Sequence, residues 1–369
     1  MPLPPLVPPV DALSAAESER THRHRVLRGF GELSQRRLAA AHVAIVGAGG
    51  LGSPAVLALS AAGVGTITVI DDDDVDLPNL QRQVLHRLSD VGAAKVDSAV
   101  RAAADLSPAT RIVAVRRRLD ADNVAELLAH ADLVLDGSDT FATRSVVAAA
   151  CEGRGIPLVW GVVQEFHAQV TVFWSAPPAD REPVVLADLH PADAVGEAPS
   201  CAEVGVLGAL TLQVGSLMAT EAIKLIAGIG EPLLGRVLLI DALQGRFTEV
   251  PLRPATASTT TPSPIAQTPP ITPTPPITQV SATEMLAAQS EEGAVLLDVR
   301  EPWETETGIV ADSVVIPLGD FLSDPEQLDA DGPVVVICAH GVRAQRAAEV
   351  LHARGIEARV LAGGLAAWI

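Results

Sequence analysis

From residue 42 onward, short β-branched runs alternate with stretches of helical period. "HVAIVGAG" gives way to a helix ending at Gly63 and then to "TITVID"; further on come "RIVAVR", "ADLVLDGSD", "PLVWGVV" and "QVTVFW". Apolar runs of this length, with amphipathic helices between several of them, predict a mostly parallel sheet covered on both faces. The rhythm breaks at 253–279, "RPATASTTTPSPIAQTPPITPTPPITQ", where Pro and Thr dominate. Such a stretch cannot bury a core and favours extended polyproline-like backbone, about 3.1 Å per residue. It therefore predicts a semi-rigid spacer able to span several tens of Å. Beyond it, "AVLLDVRE", "SVVIPL", "PVVVICAH" and "EARVLAGG" predict a second, smaller α/β domain. The expected organisation is a Pro-rich, mobile arm at 1–17, a first domain at 18–252, the linker at 253–279 and a second domain at 280–369.

Composition narrows the function classes. The chain has 369 residues, is 48% hydrophobic and carries a net charge of −19. That acidic balance argues against nucleic acid as a partner, because neutralising phosphates needs clustered Lys and Arg. No apolar run is expected to reach the roughly 18–20 residues of a membrane span. The N-terminus lacks the basic and apolar regions of a signal peptide. Three cysteines, Cys151, Cys201 and Cys338, are too few for a disulfide framework. A cytoplasmic protein that uses one or two thiols chemically is expected.

Chemistry concentrates at strand ends. Gly47-x-Gly49-x-x-Gly52, with Gly50 between, lies between a strand and a helix, and Asp71 ends the next strand. Glycines permit the tight turn and close backbone approach, the helix N-terminus offers N–H groups to a phosphate, and Asp71 would accept from a ribose. The fingerprint indicates an adenosine nucleotide without separating NAD from ATP. Asn79 and Arg82 follow in "NLQRQ", Lys95 in "GAAKVDSAV", and Asp136 and Asp139 in "LVLDGSDT". An Arg and a Lys can clamp a triphosphate, and an Asp at a strand's carboxyl end can hold Mg²⁺.

With "RTHRHRVLRGF", "GAGGLGS", "NLQRQVLH", "KVDSA", "LVLDGSDT" and "GVLGALTLQVGSLMATEAIKLIAG", residues 18–250 resemble the ThiF/MoeB family, bacterial relatives of ubiquitin-activating enzymes. The resemblance implies a Rossmann-like α/β fold and adenylation of the C-terminal glycine of a ubiquitin-like sulfur-carrier protein with Mg-ATP. It implies a homodimer in which Arg23 reaches the neighbouring subunit's ATP. Carried over by position, Gly47 to Gly52 form the nucleotide loop, Asp71 meets the ribose, Asn79, Arg82 and Lys95 meet the phosphates, and Asp139 binds Mg²⁺. Thr140 stands where the family often has Asn. Many relatives hold structural zinc with two Cys-x-x-Cys pairs; this chain has neither pair, so no structural zinc is expected. Cys201, in "CAEVGVLG", resembles a loop cysteine that some relatives link covalently during sulfur transfer, although a loop residue without a chemical role fits equally. Cys151 falls on an apolar helical face and is expected in the core.

After the linker, "LLDVREPWE", "VVIPL", "CAHGVRA" and "AGGLAAW" resemble, in order, a rhodanese sulfurtransferase domain over 280–369. Six residues run from Cys338 to Arg343. The related phosphatases have a longer loop, so the resemblance implies a persulfide on Cys338, held by loop N–H groups including Gly341 and by Arg343 closing over it. Asp298 and Arg300 are expected to brace the domain. A sulfur donor such as a cysteine desulfurase would load Cys338. The chain as a whole is then expected to be an adenylyltransferase with sulfurtransferase activity. An NAD-dependent oxidoreductase and a non-catalytic carrier-binding scaffold are the two alternatives left open.

Overall fold

The computed structural model describes residues 3–178, 181–191, 205–254, 277–305, 308–330, 332–339, 341–365 and 368. The chain forms two compact units, Met1–Ala257 and Ser258–Ile369.

The first unit is built on an eight-stranded sheet in the order β3-β2-β1-β4-β5-β6-β7-β8. Its strands are β1 His42–Val46, β2 Thr66–Ile70, β3 Arg111–Val115, β4 Leu133–Asp136, β5 Leu158–Gln164, β6 His167–Phe173, β7 Arg236–Asp241 and β8 Arg246–Pro251. Pairings from β3 through β5 are parallel, and those from β5 through β8 are antiparallel. The unbroken apolar runs follow from two-sided burial. Along β1, Val43 and Ile45 face a core with Val56 and Leu59 of helix Gly52–Ala62, Val96 of helix Lys95–Leu106, and Val214 and Met218 of helix Gly208–Ala227. Ala44 and Val46 face the opposite core with Val147 and Cys151 of helix Phe141–Arg154, and with Trp160. Successive side chains on a strand point to opposite faces, so a strand covered on both sides must be apolar at every position. Cys151 is a core residue, and burial pushes its thiol up to about 12.

Three expectations need correction. Residues 3–10 of the N-terminal segment are docked rather than mobile: Leu3 and Val7 are buried in the first core, the Leu6 amide donates to the Leu225 carbonyl at 3.2 Å, and the Val10 amide to the Arg36 carbonyl at 3.1 Å. Leu3 and Val7 are the apolar residues that a Pro-rich composition hides, and each buried aliphatic side chain contributes about 1.5–3 kcal/mol. Helix Gly208–Ala227 has the length and apolar composition of a membrane span. Its buried face, with Leu210, Val214, Met218, Leu225 and Ile226, packs in the sheet's core, which accounts for its apolarity. Lastly, β7 and β8 were not anticipated; every residue of β8 is exposed, so no alternating apolar pattern marks it.

The second unit has a five-stranded parallel sheet ordered β11-β10-β12-β13-β9. The strands are β9 Thr278–Val280, β10 Val295–Asp298, β11 Val314–Val315, β12 Val334–Ile337 and β13 Ala358–Leu361. Thr278 and Gln279, read from sequence as the linker's end, belong to β9. Val334 and Val336 of β12 point into one core, and Val335 and Ile337 into the other.

Candidate functional site

The strand order reverses between β1 and β4, and in open α/β sheets the crevice at the carboxyl ends beside such a reversal is where ligands bind. A cavity of about 300 Å³ opens here, lined by Gly47, Gly49, Gly50, Asp71, Arg82, Lys95 and Asp139 among others. Backbone contacts weld its floor: the Gly47 amide donates to the Ile70 carbonyl at 2.8 Å, and the Gly137 amide to the Val46 carbonyl at 2.9 Å. Gly47 has φ +87°, which L side chains rarely adopt. Gly52 opens the following helix, and a Cβ there would lie 1.8 Å from the Gly47 carbonyl oxygen. Gly52 thus shapes the loop from behind, while Gly47, Gly49 and Gly50 form its surface.

Asp71 follows β2. Its Oδ2 accepts from the Ala48 amide at 2.7 Å and its Oδ1 from the Asp73 amide at 2.9 Å, tying the strand end to the glycine loop. Burial pushes its carboxyl above the usual range, against the pull of Lys95. Lys95, at the first turn of its helix, is buried and its Nζ donates to Asp73 Oδ2 at 2.7 Å. Arg82 is half-buried, with Nη1 donating to the Pro78 carbonyl at 3.2 Å. Asp136, at the end of β4, is fully buried. Its Oδ1 accepts from the Ser138 amide at 2.9 Å and hydroxyl at 2.6 Å, while its Oδ2 has no hydrogen-bond partner among the described residues. These bonds set the turn that presents Asp139, exposed, at the cavity. Thr140 caps helix Phe141–Arg154, its hydroxyl oxygen accepting from the Thr143 amide.

Asn79 lies on the turn just before Arg82; its side-chain oxygen accepts from the Asp76 amide at 3.1 Å, capping that turn, and it is not among the residues that line the cavity. Arg23 stands exposed on helix His22–Arg25, away from any described partner in this chain, whereas Arg20 is bound to Glu17 and to the Ala61 carbonyl. Cys201 lies outside the described residues.

Several lining residues escaped the sequence analysis: Gln83, Arg117, Arg118, Ser138, Thr143 and Arg144. Arg117 and Arg118 belong to a run of arginines just past β3, and the rule that parallel strands present chemistry at their carboxyl ends could have found them. Arg144, on the helix after β4, donates to the Ser138 carbonyl at 3.0 Å and so supports the Asp139 turn. Cations beside a glycine loop and a helix N-terminus suit a polyphosphate. Carboxylate oxygens are the donors Mg²⁺ prefers, and Asp139 supplies one. Among the described residues, Asp71, Asp72 and Asp73 also bring ligand oxygens within 4.8 Å of one another.

In the second unit Cys338 follows β12 and is buried. Its Sγ accepts from the Gly341 amide at 3.0 Å and the Ala344 amide at 3.4 Å, at the start of helix Val342–Ala353. Gly341 turns the chain with φ +93°. Aligned N–H groups at a helix start favour a negatively charged sulfur. Both terminal nitrogens of Arg343 donate to the Glu304 carboxylate, at 2.6 Å each, while its charge also interacts with Cys338. Asp298 and Arg300 form a buried ion pair at 2.7 Å that ties β10 to the loop after it, through the Gly308 carbonyl.

The ThiF family model matches residues 21–261, and the rhodanese-like domain model matches 281–369. A probable adenylyltransferase/sulfurtransferase, MoeZ of Mycobacterium tuberculosis, is 39% identical over 99% of this chain and 96% of its own length. The sulfur carrier protein adenylyltransferase of Thermus thermophilus is 42% identical over 64% of this chain and 88% of its own. Among solved structures, Escherichia coli MccB with MccA-N7isoASN matches at a TM-score of 0.56 and 20% identity, covering 67% of this chain and 75% of that one, which speaks for the fold alone. With both family models matched in chain order and a relative aligned along nearly its whole length, this chain belongs to the ThiF family and carries a rhodanese-like domain after it.

Proposed function

We propose that this protein adenylates the C-terminal glycine of a small ubiquitin-like sulfur-carrier protein and then converts it to a thiocarboxylate. The observation that carries the proposal is the pairing, in one chain, of a glycine-loop cavity lined by Arg82, Lys95 and Asp139 with an N–H cradle around Cys338. ATP is the proposed co-substrate. Bound Mg²⁺ would supply charge neutralisation at the phosphates, with Asp139 its proposed ligand. The carrier's carboxylate attacks the α-phosphorus and pyrophosphate leaves. The protein contributes no nucleophile to that step; its part is to position the reactants and neutralise charge. Lys95 must then exchange its Asp73 partner for a phosphate oxygen.

In the second step the terminal sulfur of a Cys338 persulfide attacks the acyl carbon and AMP leaves. The acyl disulfide is resolved by a thiolate, for which Cys201 is proposed. The Cys201 sulfur attacks Cys338 Sγ, the thiocarboxylate departs, and a disulfide remains for an external thiol to reduce. A cysteine desulfurase is the proposed sulfur donor. The proposed assembly is a cytoplasmic homodimer with Arg23 reaching the partner's ATP. Carrying both active groups on one chain raises the effective concentration of persulfide near the adenylate.

The test incubates candidate carriers with the protein, ATP and a sulfur donor and weighs them. The true carrier should become about 16 Da heavier at its C-terminus, as sulfur replaces oxygen. Cys338→Ser should abolish this gain while leaving carrier-dependent pyrophosphate exchange intact. Loss of both activities, or exchange that needs no carrier C-terminus, would refute the proposed division of labour.

A further inference from the structure

The cations that line the nucleotide cavity are held in different ways. Arg82 and Arg144 donate to the Pro78 and Ser138 carbonyls, and Arg117 and Arg118 are exposed, the former 3.6 Å from Glu126. Lys95 is bound by a carboxylate: its Nζ donates to Asp73 Oδ2 at 2.7 Å. The pair is lopsided, with the Lys95 side chain 8% exposed and that of Asp73 66%. The backbone around it is fixed. The Lys95 amide donates to the Asp73 carbonyl at 3.0 Å, the Val75 amide to the Ala93 carbonyl at 2.8 Å, and the Asp73 amide to Asp71 Oδ1 at 2.9 Å. Asp71 also feels the Lys95 charge, but its two oxygens are engaged by the amides of Ala48 and Asp73. Burial, and to a lesser degree the Lys95 charge, lowers the His86 imidazole behind the glycine loop, so it adds no charge there at neutral pH.

A buried ammonium without a partner is costly, whereas an exposed carboxylate that swings into water regains its hydration at little cost. The partner free to leave is therefore Asp73. Side-chain rotation alone releases it, because its backbone bonds do not involve the carboxylate. We propose that Asp73 is a positioning residue: a displaceable counterion that keeps Lys95 paired until nucleotide arrives and then yields it to a phosphate of ATP. This rests on the reading of the cavity as an ATP site. The exchange breaks no covalent bond; one ion pair gives way to another while Asp73 turns to solvent. It also makes ATP affinity lower than the cations alone would set, because every binding event must first undo the Asp73 contact.

The test is isothermal titration of the full-length protein with Mg-ATP and, separately, with adenosine, which has no phosphate. Asp73→Asn keeps an acceptor for Lys95 but removes the negative charge. Its Kd for ATP should fall about three- to tenfold, as expected for releasing one cation in a half-buried site. That gain should shrink as salt is raised. Adenosine affinity should stay within about twofold, whereas a merely loosened Asp71 strand end would change it. Asp73→Glu restores the charge and should bind ATP like the parent. Asp72→Asn removes the neighbouring exposed carboxylate, which has no bond to Lys95, and should gain about half as much or less. Adding Lys95→Gln to Asp73→Asn should erase the gain. Three results would overturn the proposal: an unchanged ATP Kd in Asp73→Asn, a weaker one as loss of a metal-binding carboxylate would give, or equal gains in Asp73→Asn and Asp72→Asn. Lys95→Gln alone separates the two levels. If it binds ATP as tightly as the parent, the reading of Lys95 at the phosphates fails; if it binds weakly while Asp73→Asn shows no gain, the Asp73 assignment alone fails.

Discussion

Adding one methyl group at successive loop glycines should separate the fold's requirements from the ligand's. A Cβ at Gly52 would lie 1.8 Å from the Gly47 carbonyl oxygen and 2.9 Å from its carbon. Both are backbone atoms, so no rotamer change relieves the overlap, and the helix start must separate from the loop by well over an ångström. Overpacking a tight interior costs about 1–3 kcal/mol, and a backbone clash belongs at the upper end. For a unit of this size each kcal/mol lowers the melting temperature by about 2–4 °C, so Gly52→Ala should lower it by about 6–12 °C. A Cβ at Gly49 meets nothing nearer than the Gln83 side-chain nitrogen at 3.7 Å, an ordinary contact. Gly49→Ala should therefore fold within about 0.5 kcal/mol of the parent. It should nonetheless weaken ATP binding by about tenfold or more, because only the bare backbone can approach a phosphate closely. Gly50→Ala falls between, pressing on the Thr211 side chain at 3.2 Å. Differential scanning fluorimetry with and without ATP reads both effects. A Gly52→Ala protein as stable as the parent, or a Gly49→Ala protein that binds ATP normally, would refute the reasoning.

Burial raises the Asp136 carboxyl, against the hydrogen bonds from Ser138, so the folded state holds that proton to higher pH than the unfolded chain does. Its contribution to stability must then fall as pH rises from the ordinary carboxylate value of 3.8 through the raised one. Asp136→Asn keeps an oxygen for Ser138 and removes the ionisation, so its melting temperature relative to the parent should climb as pH rises above the ordinary carboxylate value; a flat difference would contradict the assignment. Replacing both Leu3 and Val7 by Ala should cost about 2–4 kcal/mol, visible as a lower melting temperature of the first unit. No loss would mean that the N-terminal segment does not pack as described.

Much of the site was readable because its signals are local. A glycine loop between a strand and a helix, an Asp ending the next strand and a paired Asp ending β4 each lie within a few residues of the element that positions them. Parallel pairing then brings those strand ends together, so Asp71, Arg82, Lys95 and Asp139 meet at one cavity as their spacing implied. The two-sided burial of β1 and β12 likewise follows from unbroken apolar runs.

What tertiary structure alone decided were the partners of polar side chains and the fate of segments with weak patterns. The oxygen of Asn79 takes the amide three residues back, a cap bond that the motif alone does not specify. Arg343 meets Glu304, 39 residues earlier, through both terminal nitrogens, a pairing that no local pattern specifies. Proline content suggested a mobile arm, while Leu3 and Val7 found an apolar groove that exists only once helix Gly208–Ala227 lies on the sheet. Periodicity encodes which face of an element is buried, because the repeat of strand and helix is intrinsic to the backbone. Which charge meets which depends on the register and order of strands far apart in the chain, and those are settled only when the sheet assembles.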